Sequence, residues 1–336
     1  MGVQFETGRI ITHADFDGVV SAAIVSRVSG CEKVIFTGPN SIARAEITVG
    51  PEDVVCDLPY PLECGLWFDH HPGNIEALSL RGIDPSSIAG RFAEEPSCAH
   101  VVLDYFKEKG VELPSYFDAT VAEADTIDSF DYTSVEEWRA ETPGKLVDMS
   151  IKAPFKEPRE RTKYLSFITL LIRDRPIEEV AGDEAVRHYL ALYRSEEGRM
   201  LRIIEQSISF VPRDRNRELI VVDLTGFKRP PRVIKNLAFL IHPNALGVIS
   251  MNNLFHGGRK TNDISIAISL SMNLTGKNHG KDVGEIMREL NIGDGHRGAA
   301  AGLVYCSSKQ EMLRRKDELL SRIWGLWESM PLENAE

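Results

Sequence analysis

WFDHHPGN, residues 67–74, opens apolar, as a buried strand does. It then sets Asp69, His70 and His71 in a row and leaves through Pro72 and Gly73. Three titratable side chains in succession at a strand end rarely serve packing. Similar apolar runs surround this one: RIIT (9–12), KVIFT (33–37), DVVCD (53–57) and GLWFD (65–69). All are short and rich in Val, Ile and Phe, which predicts buried strands. VVSAAIVSRV (19–28) predicts a crossover helix. Strands alternating with helices predict an α/β domain whose parallel sheet is covered on both faces. CAHVVLDYFKEKG (98–110) and FDATVAEADTIDSFDY (117–132) read as two further helices.

Acid and imidazole recur at the ends of these segments. THADFDG places His13, Asp15 and Asp17 at alternate positions, which share one side of an extended chain. Asp57 ends DVVCD, Asp69-His70-His71 ends GLWFD, and Asp125 lies in EADTID. Open α/β sheets gather their sites at the carboxyl ends of the strands, so these groups are expected to converge. Carboxylates and imidazoles without a thiolate suit two divalent ions of the Mn²⁺ or Mg²⁺ type. Taken singly, Asp57 also reads as a helix cap, His70 as a loop histidine and Asp125 as a solvated helix residue.

HADFDG, VVCDLP, FDHHPGN and EADTID together resemble the four ordered motifs of the DHH phosphoesterase superfamily. Far downstream, GDGHRGAAAG (293–302) resembles the glycine-rich histidine signature of the C-terminal domain associated with that fold. The resemblance implies two α/β domains with the active site in the cleft between them. It implies that His13, Asp15 and Asp57 hold one metal, and that Asp17, Asp57, His70 and Asp125 hold the other. Asp128 and Asp131 compete with Asp125 for the last place. His71 is then a donor to the substrate phosphate, and Asp69 orients a neighbouring imidazole. The implied cofactors are two divalent ions, Mn²⁺ first, with Mg²⁺ or Co²⁺ as alternatives. Gly293, Gly295, His296 and Arg297 would hold the substrate's distal end. The implied chemistry is hydrolysis of phosphoester bonds in small nucleotides, dinucleotides or short oligonucleotides, without a covalent enzyme intermediate. The alternatives are an exopolyphosphatase or other small-phosphoester hydrolase, and a noncatalytic nucleotide-binding regulatory protein.

Two departures stand in the C-terminal signature. Asp294 occupies a position where the pattern has glycine, and an acid there repels phosphate unless it is paired or faces away. The preceding stretch, ISLSMN, lacks the arginine of many oligonucleotide-cleaving relatives; Arg259 and Lys260 are candidates to replace it.

The rest of the chain sets limits. Its 336 residues allow two domains, expected at 1–200 and 218–330 with a linker at 201–217. LALYRSEEGRMLRIIEQSISF (190–210) predicts a long helix that PRDRNR breaks. Three strand-like runs (218–226, 245–253, 263–273) and two amphipathic helices (282–290, 309–327) follow. The formal net charge of −11 argues against a long nucleic-acid track. No apolar run reaches membrane-spanning length, so no membrane partner is expected. Five scattered cysteines without a close pair predict a cytoplasmic protein. A homodimer is compatible with all of this.

Overall fold

The computed structural model describes residues 7–332. The chain forms two compact units: residues to 131 with 141–196, and residues 132–140 with 197 onward.

The first unit is built on a parallel sheet of order β2-β1-β3-β4-β5. Its strands are β1 (Arg9–His13), β2 (Val34–Thr37), β3 (Asp53–Cys56), β4 (Leu66–Asp69) and β5 (Gly90–Phe92). The register brings Ile11 beside Val55, Val55 beside Trp67, and Cys56 beside Phe68. Alternation sends Ile10, Val54, Cys56 and Phe68 into one core and Ile11, Val55 and Trp67 into another. The sheet is thus apolar on both faces, as the continuous apolar runs predict. Burying each such side chain stabilises the fold by roughly 1.5–3 kcal/mol. The helix Phe16–Ser29 follows β1 directly, and every residue from Phe16 to Ser26 is buried. A helix apolar on all sides belongs inside, and this one packs against the helices Cys98–Glu108, Tyr116–Ser129 and Pro158–Asp174. Strand β5, three residues reading GRF, carried no strand signal in the sequence.

The second unit holds a sheet of order β10-β11-β9-β8-β7-β6. These strands are β6 (Ile208–Phe210), β7 (Leu219–Asp223), β8 (Gly247–His256), β9 (Arg259–Leu270), β10 (Gly293–His296) and β11 (Ala299–Val304). Within this sheet only β7 and β8 run parallel. Residues 201–217, expected as a linker, are the last turns of the helix Glu184–Ser207, then β6, then a turn. The buried Asp214 accepts from the amides of Glu218 and Leu219 and so closes that turn. The helix Lys309–Ser329 ends on Lys281, whose buried ammonium donates to the carbonyls of Trp327 and Met330. A cation there satisfies carbonyls the helix leaves open and meets its negative end.

GDGHRGAAAG is the hairpin of β10 and β11 at the sheet edge. Its small residues serve close approach. A Cβ on Gly293 would lie 2.0 Å from the Ala301 carbonyl oxygen, and one on Gly295 would lie 2.4 Å from that of Ala299.

Candidate metal centre

Strands β1, β3 and β4 deliver His13, Asp57 and Asp69 to one edge of the first sheet, because parallel strands all end there. The chain turns sharply after β1. Asp15 caps the next helix by accepting from the Gly18 amide at 3.0 Å, which leaves its Oδ2 2.5 Å from His13 Nδ1. The turn is tight at Gly18, where a Cβ would sit 2.3 Å from the His13 carbonyl oxygen. Asp17, in the first turn of the helix, is buried. It accepts at 2.8 Å from the amides of both Cys98 and Ala99, the first two residues of the helix Cys98–Glu108. A helix amino end, with free N–H groups and the positive end of the dipole, suits a buried carboxylate.

Asp57 follows β3 with φ of 56°, a left-handed conformation that costs most residues about 1–2 kcal/mol and that Asp tolerates better. Its amide donates to Phe68 on β4, which fixes the bend. The buried carboxylate stands in the middle of the cluster: Oδ2 is 3.4 Å from His13 Nδ1, and Oδ1 is 3.7 Å from both His70 Nε2 and His71 Nδ1.

His70 decides the chemistry. Its Nδ1 lies 3.0 Å from the Glu95 carbonyl, which only accepts, so Nδ1 carries the hydrogen. Its Nε2 is buried and has no hydrogen-bond partner. It faces Asp128 at 3.4 Å, Asp57 at 3.7 Å and Asp17 at 3.9 Å. An orphaned imidazole nitrogen among carboxylates, its opposite N–H held by a carbonyl, is the arrangement of a metal-ligating histidine. His13, Asp15 and Asp57 form one possible ligand set, and Asp17, His70 and Asp128 form another. Both are carboxylate and imidazole only, a donor set for hard or borderline divalent ions.

Asp125, expected among the ligands, stands outside the cluster. It accepts from Ser97 Oγ at 2.6 Å and pairs with His100 Nδ1 at 2.8 Å. Asp128, three residues on, faces His70 instead. Positions three apart share a face but sit nearly a turn apart along the axis, so only one reaches His70. Asp69 is fully buried and meets His71 Nδ1 at 2.9 Å, while its other oxygen accepts from Asn74. His71 itself is about half exposed. Sequence reasoning missed Asn74, the Glu95 carbonyl and the Cys98 and Ala99 amides. Backbone groups carry no residue-type signal.

Close packing of acid and imidazole perturbs both. Burial would lower His13, but Asp15 and Asp57 outweigh it and push it up to about 11. Burial likewise opposes a charged His70, yet Asp57, Asp17 and Asp128 push it up to about 10. His71 is raised by Asp69 against the same desolvation. Burial works against ionised Asp57, but His13, His70 and His71 hold it down to about 2. Asp17 is pushed well above the usual range by burial, then by repulsion from Asp57 and Asp128. Burial, then Asp57 and Asp15, push Asp128 up to about 7. Carboxylates sharing so small a space favour a bound cation.

The residues expected to hold the substrate's distal end lie on the β10–β11 hairpin. His296 is exposed and accepts from the Gly298 amide. Arg297 is occupied with the backbone: Nε donates to the Lys281 carbonyl and Nη2 to that of His279. Asp294 is paired with Arg288 at 2.8 Å, so its charge is compensated. Lys260 donates to the carbonyls of Thr225 and Phe227.

No protein-family model matches the chain, and no curated protein matches it. Solved structures do. A pGpG-specific phosphodiesterase, PggH from Vibrio cholerae, is 20% identical; the match covers 94% of this chain and 99% of that one, with a TM-score of 0.65. The DHH domain of a member of a ribosomal-protein family is 12% identical over 95% of this chain and 85% of its own, with a TM-score of 0.53. A manganese-bound RecJ exonuclease matches over 97% of this chain and 92% of its own at 12% identity, with a TM-score of 0.48. Among the described residues no helix is long and apolar enough to cross a membrane.

Proposed function

We propose that this chain, which has the DHH fold, is a phosphoesterase that uses two divalent ions, Mn²⁺ first among them, to hydrolyse small nucleotides, linear dinucleotides or short oligonucleotide ends. The observation that carries the reading is the buried, partnerless Nε2 of His70, facing three carboxylates while its Nδ1 is held by a carbonyl. A structural histidine would have both nitrogens satisfied. His13, Asp15 and Asp57 would hold one ion, and Asp17, Asp57, His70 and Asp128 would hold the other. Ions held there would supply Lewis acidity to a phosphoryl group and lower the pKa of water.

The chain's own groups do the rest. Asp69 fixes His71 through Nδ1 and favours its charged form, so that Nε2–H is available to a phosphoryl oxygen. Asn74 holds Asp69 from the other side. The Cys98 and Ala99 amides keep Asp17 from turning away. Cys56 and Cys98 are buried with thiols pushed up by burial, which argues against a nucleophilic role. The likeness to a pGpG-specific phosphodiesterase supports a linear dinucleotide as the first substrate to try. The net charge of −11 supports a small substrate over a long strand.

The test is a hydrolysis panel with Mn²⁺, Mg²⁺ or Co²⁺: linear and cyclic dinucleotides, phosphoadenosine phosphate, short RNA, single-stranded DNA and polyphosphate. Metal content is measured alongside. Metal-dependent turnover of linear dinucleotides or mononucleotides is expected. Preference for polyphosphate would move the protein to the polyphosphatases. Nucleotide binding without turnover under every metal would leave it a regulatory binding protein.

A further inference from the structure

The second unit contains a cavity of about 460 Å³ at the end of its sheet where β7 finishes and β9 begins. Asp223, Thr225, Asn253, Lys260, Lys309 and Lys316 contribute polar groups to its wall. Three ammonium groups face one carboxylate, in a chain whose overall balance is acidic. An ammonium has three N–H donors. Lys260 uses two on the Thr225 and Phe227 carbonyls. Lys316 uses two on Asp223 and the Thr225 hydroxyl. Each keeps one donor, and among the described residues the Lys309 side chain makes no hydrogen bond or ion pair. Both partnered lysines are thereby fixed in place, so their remaining donors are preorganised.

A second, separate feature lies on the same wall. Asn253 is 5% exposed, and its Oδ1 is buried without a hydrogen-bond partner. Its Nδ2 donates to the carbonyls of Thr261 and Asp263, which fixes the amide the right way round. A buried acceptor left unmade is costly, so a donor is called for.

We propose that this cavity binds a small phosphorylated molecule that also carries hydroxyl groups, with the phosphate among Lys260, Lys309 and Lys316 and a hydroxyl donated to Asn253. Lys260 agrees with this: burial, then the charge of Lys309, pushes it below the usual lysine range, and an anion beside it would favour its charged form. The site is separate from the β10–β11 hairpin. Lys260 and Ser269 stand at opposite ends of β9, about 30 Å apart at strand rise, and Ser269 is the residue that pairs with Ala299 beside the hairpin turn. A nucleotide and a sugar phosphate share the required chemistry.

Calorimetric titration of the full chain tests the proposal, in excess EDTA and at constant ionic strength, with ribose 5-phosphate, AMP and inorganic phosphate as probes. EDTA keeps metal-dependent phosphate binding and turnover out of the measurement, so failure of the hydrolytic reading leaves this result intact. Saturable binding of ribose 5-phosphate or AMP is expected, weakened about tenfold or more by Lys309→Glu and largely kept by Lys309→Arg. Lys309 is exposed, so neither change threatens folding. Tighter AMP assigns a nucleotide; equal affinity assigns the sugar phosphate. Inorganic phosphate binding as tightly as either would overturn the role of Asn253. Absence of saturable binding, or equal affinity in Lys309→Glu, would overturn the site.

Discussion

Asp57 combines a left-handed backbone with a buried charge at the centre of the cluster. Strain of this kind persists where the surroundings over-determine it. Asp57→Gly and Asp57→Ala both remove the carboxylate, but only glycine relieves the backbone. Both variants are expected to lose turnover by more than about 10²-fold, since even groups behind a metal ligand are worth 10–100-fold. In metal-free buffer, urea unfolding should find the glycine variant more stable than the alanine one by about 1 kcal/mol. Equal stabilities would show that the conformation carries no strain. The acidic pair on the helix Tyr116–Ser129 separates in the same way. Asp128→Asn is expected to lower metal stoichiometry and turnover by more than about 10²-fold. Asp125→Asn is expected to keep the metal and lose about tenfold, because Asp125 acts through Ser97 and His100. The opposite pattern would return Asp125 to the ligand set. Residue types and order made the convergence of His13, Asp15, Asp17, Asp57 and His70 legible from sequence. The choice between two aspartates three apart depends on how the helix is rotated and set along its axis, and packing against the helix Phe16–Ser29 decides that.

At the level of elements, ligand placement depends on the turn between β1 and the helix Phe16–Ser29. It puts a strand-end histidine, a capping aspartate and a first-turn aspartate within five residues. Thr12 Oγ1 donates to the Gly18 carbonyl and tightens it further. Gly18→Ala would set a methyl 2.3 Å from the His13 carbonyl oxygen, so the turn must open. The expected loss is roughly 1–3 kcal/mol of stability, as for overpacking elsewhere, with metal affinity falling as well. Unchanged melting and unchanged metal uptake would show that the turn yields without cost. The first four strands were legible because each is an apolar run long enough to fill a sheet covered on both sides. Strands β10 and β11 were not. Glycine and alanine have little intrinsic preference for extended chain, and here pairing with β9 imposes it. Strand β5 is too short for any periodicity to register.

On the scale of the whole chain, the clustered acid and imidazole groups all belong to one compact unit, residues to 131 with 141–196. A cation binding there stabilises the folded form of that unit by mass action, by about 2.7 kcal/mol at a hundredfold excess over Kd. Hydrogen exchange reads where that energy goes. Adding Mn²⁺ to the metal-free protein is expected to slow exchange at the carboxyl ends of β1, β3 and β4 and in the first turn of the helix Cys98–Glu108. The amides of Cys98 and Ala99 already donate to Asp17, and a cation that holds Asp17 in place holds them too. Among the described residues the sheet from β6 to β11 supplies none of these clustered groups, so its exchange should change little. The variant Asp128→Asn should show a smaller response in the first unit at the same metal concentration. Equal protection of both sheets would mean that the second unit contributes to metal binding, and would require a ligand set other than the one built from His13, Asp15, Asp17, Asp57, His70 and Asp128.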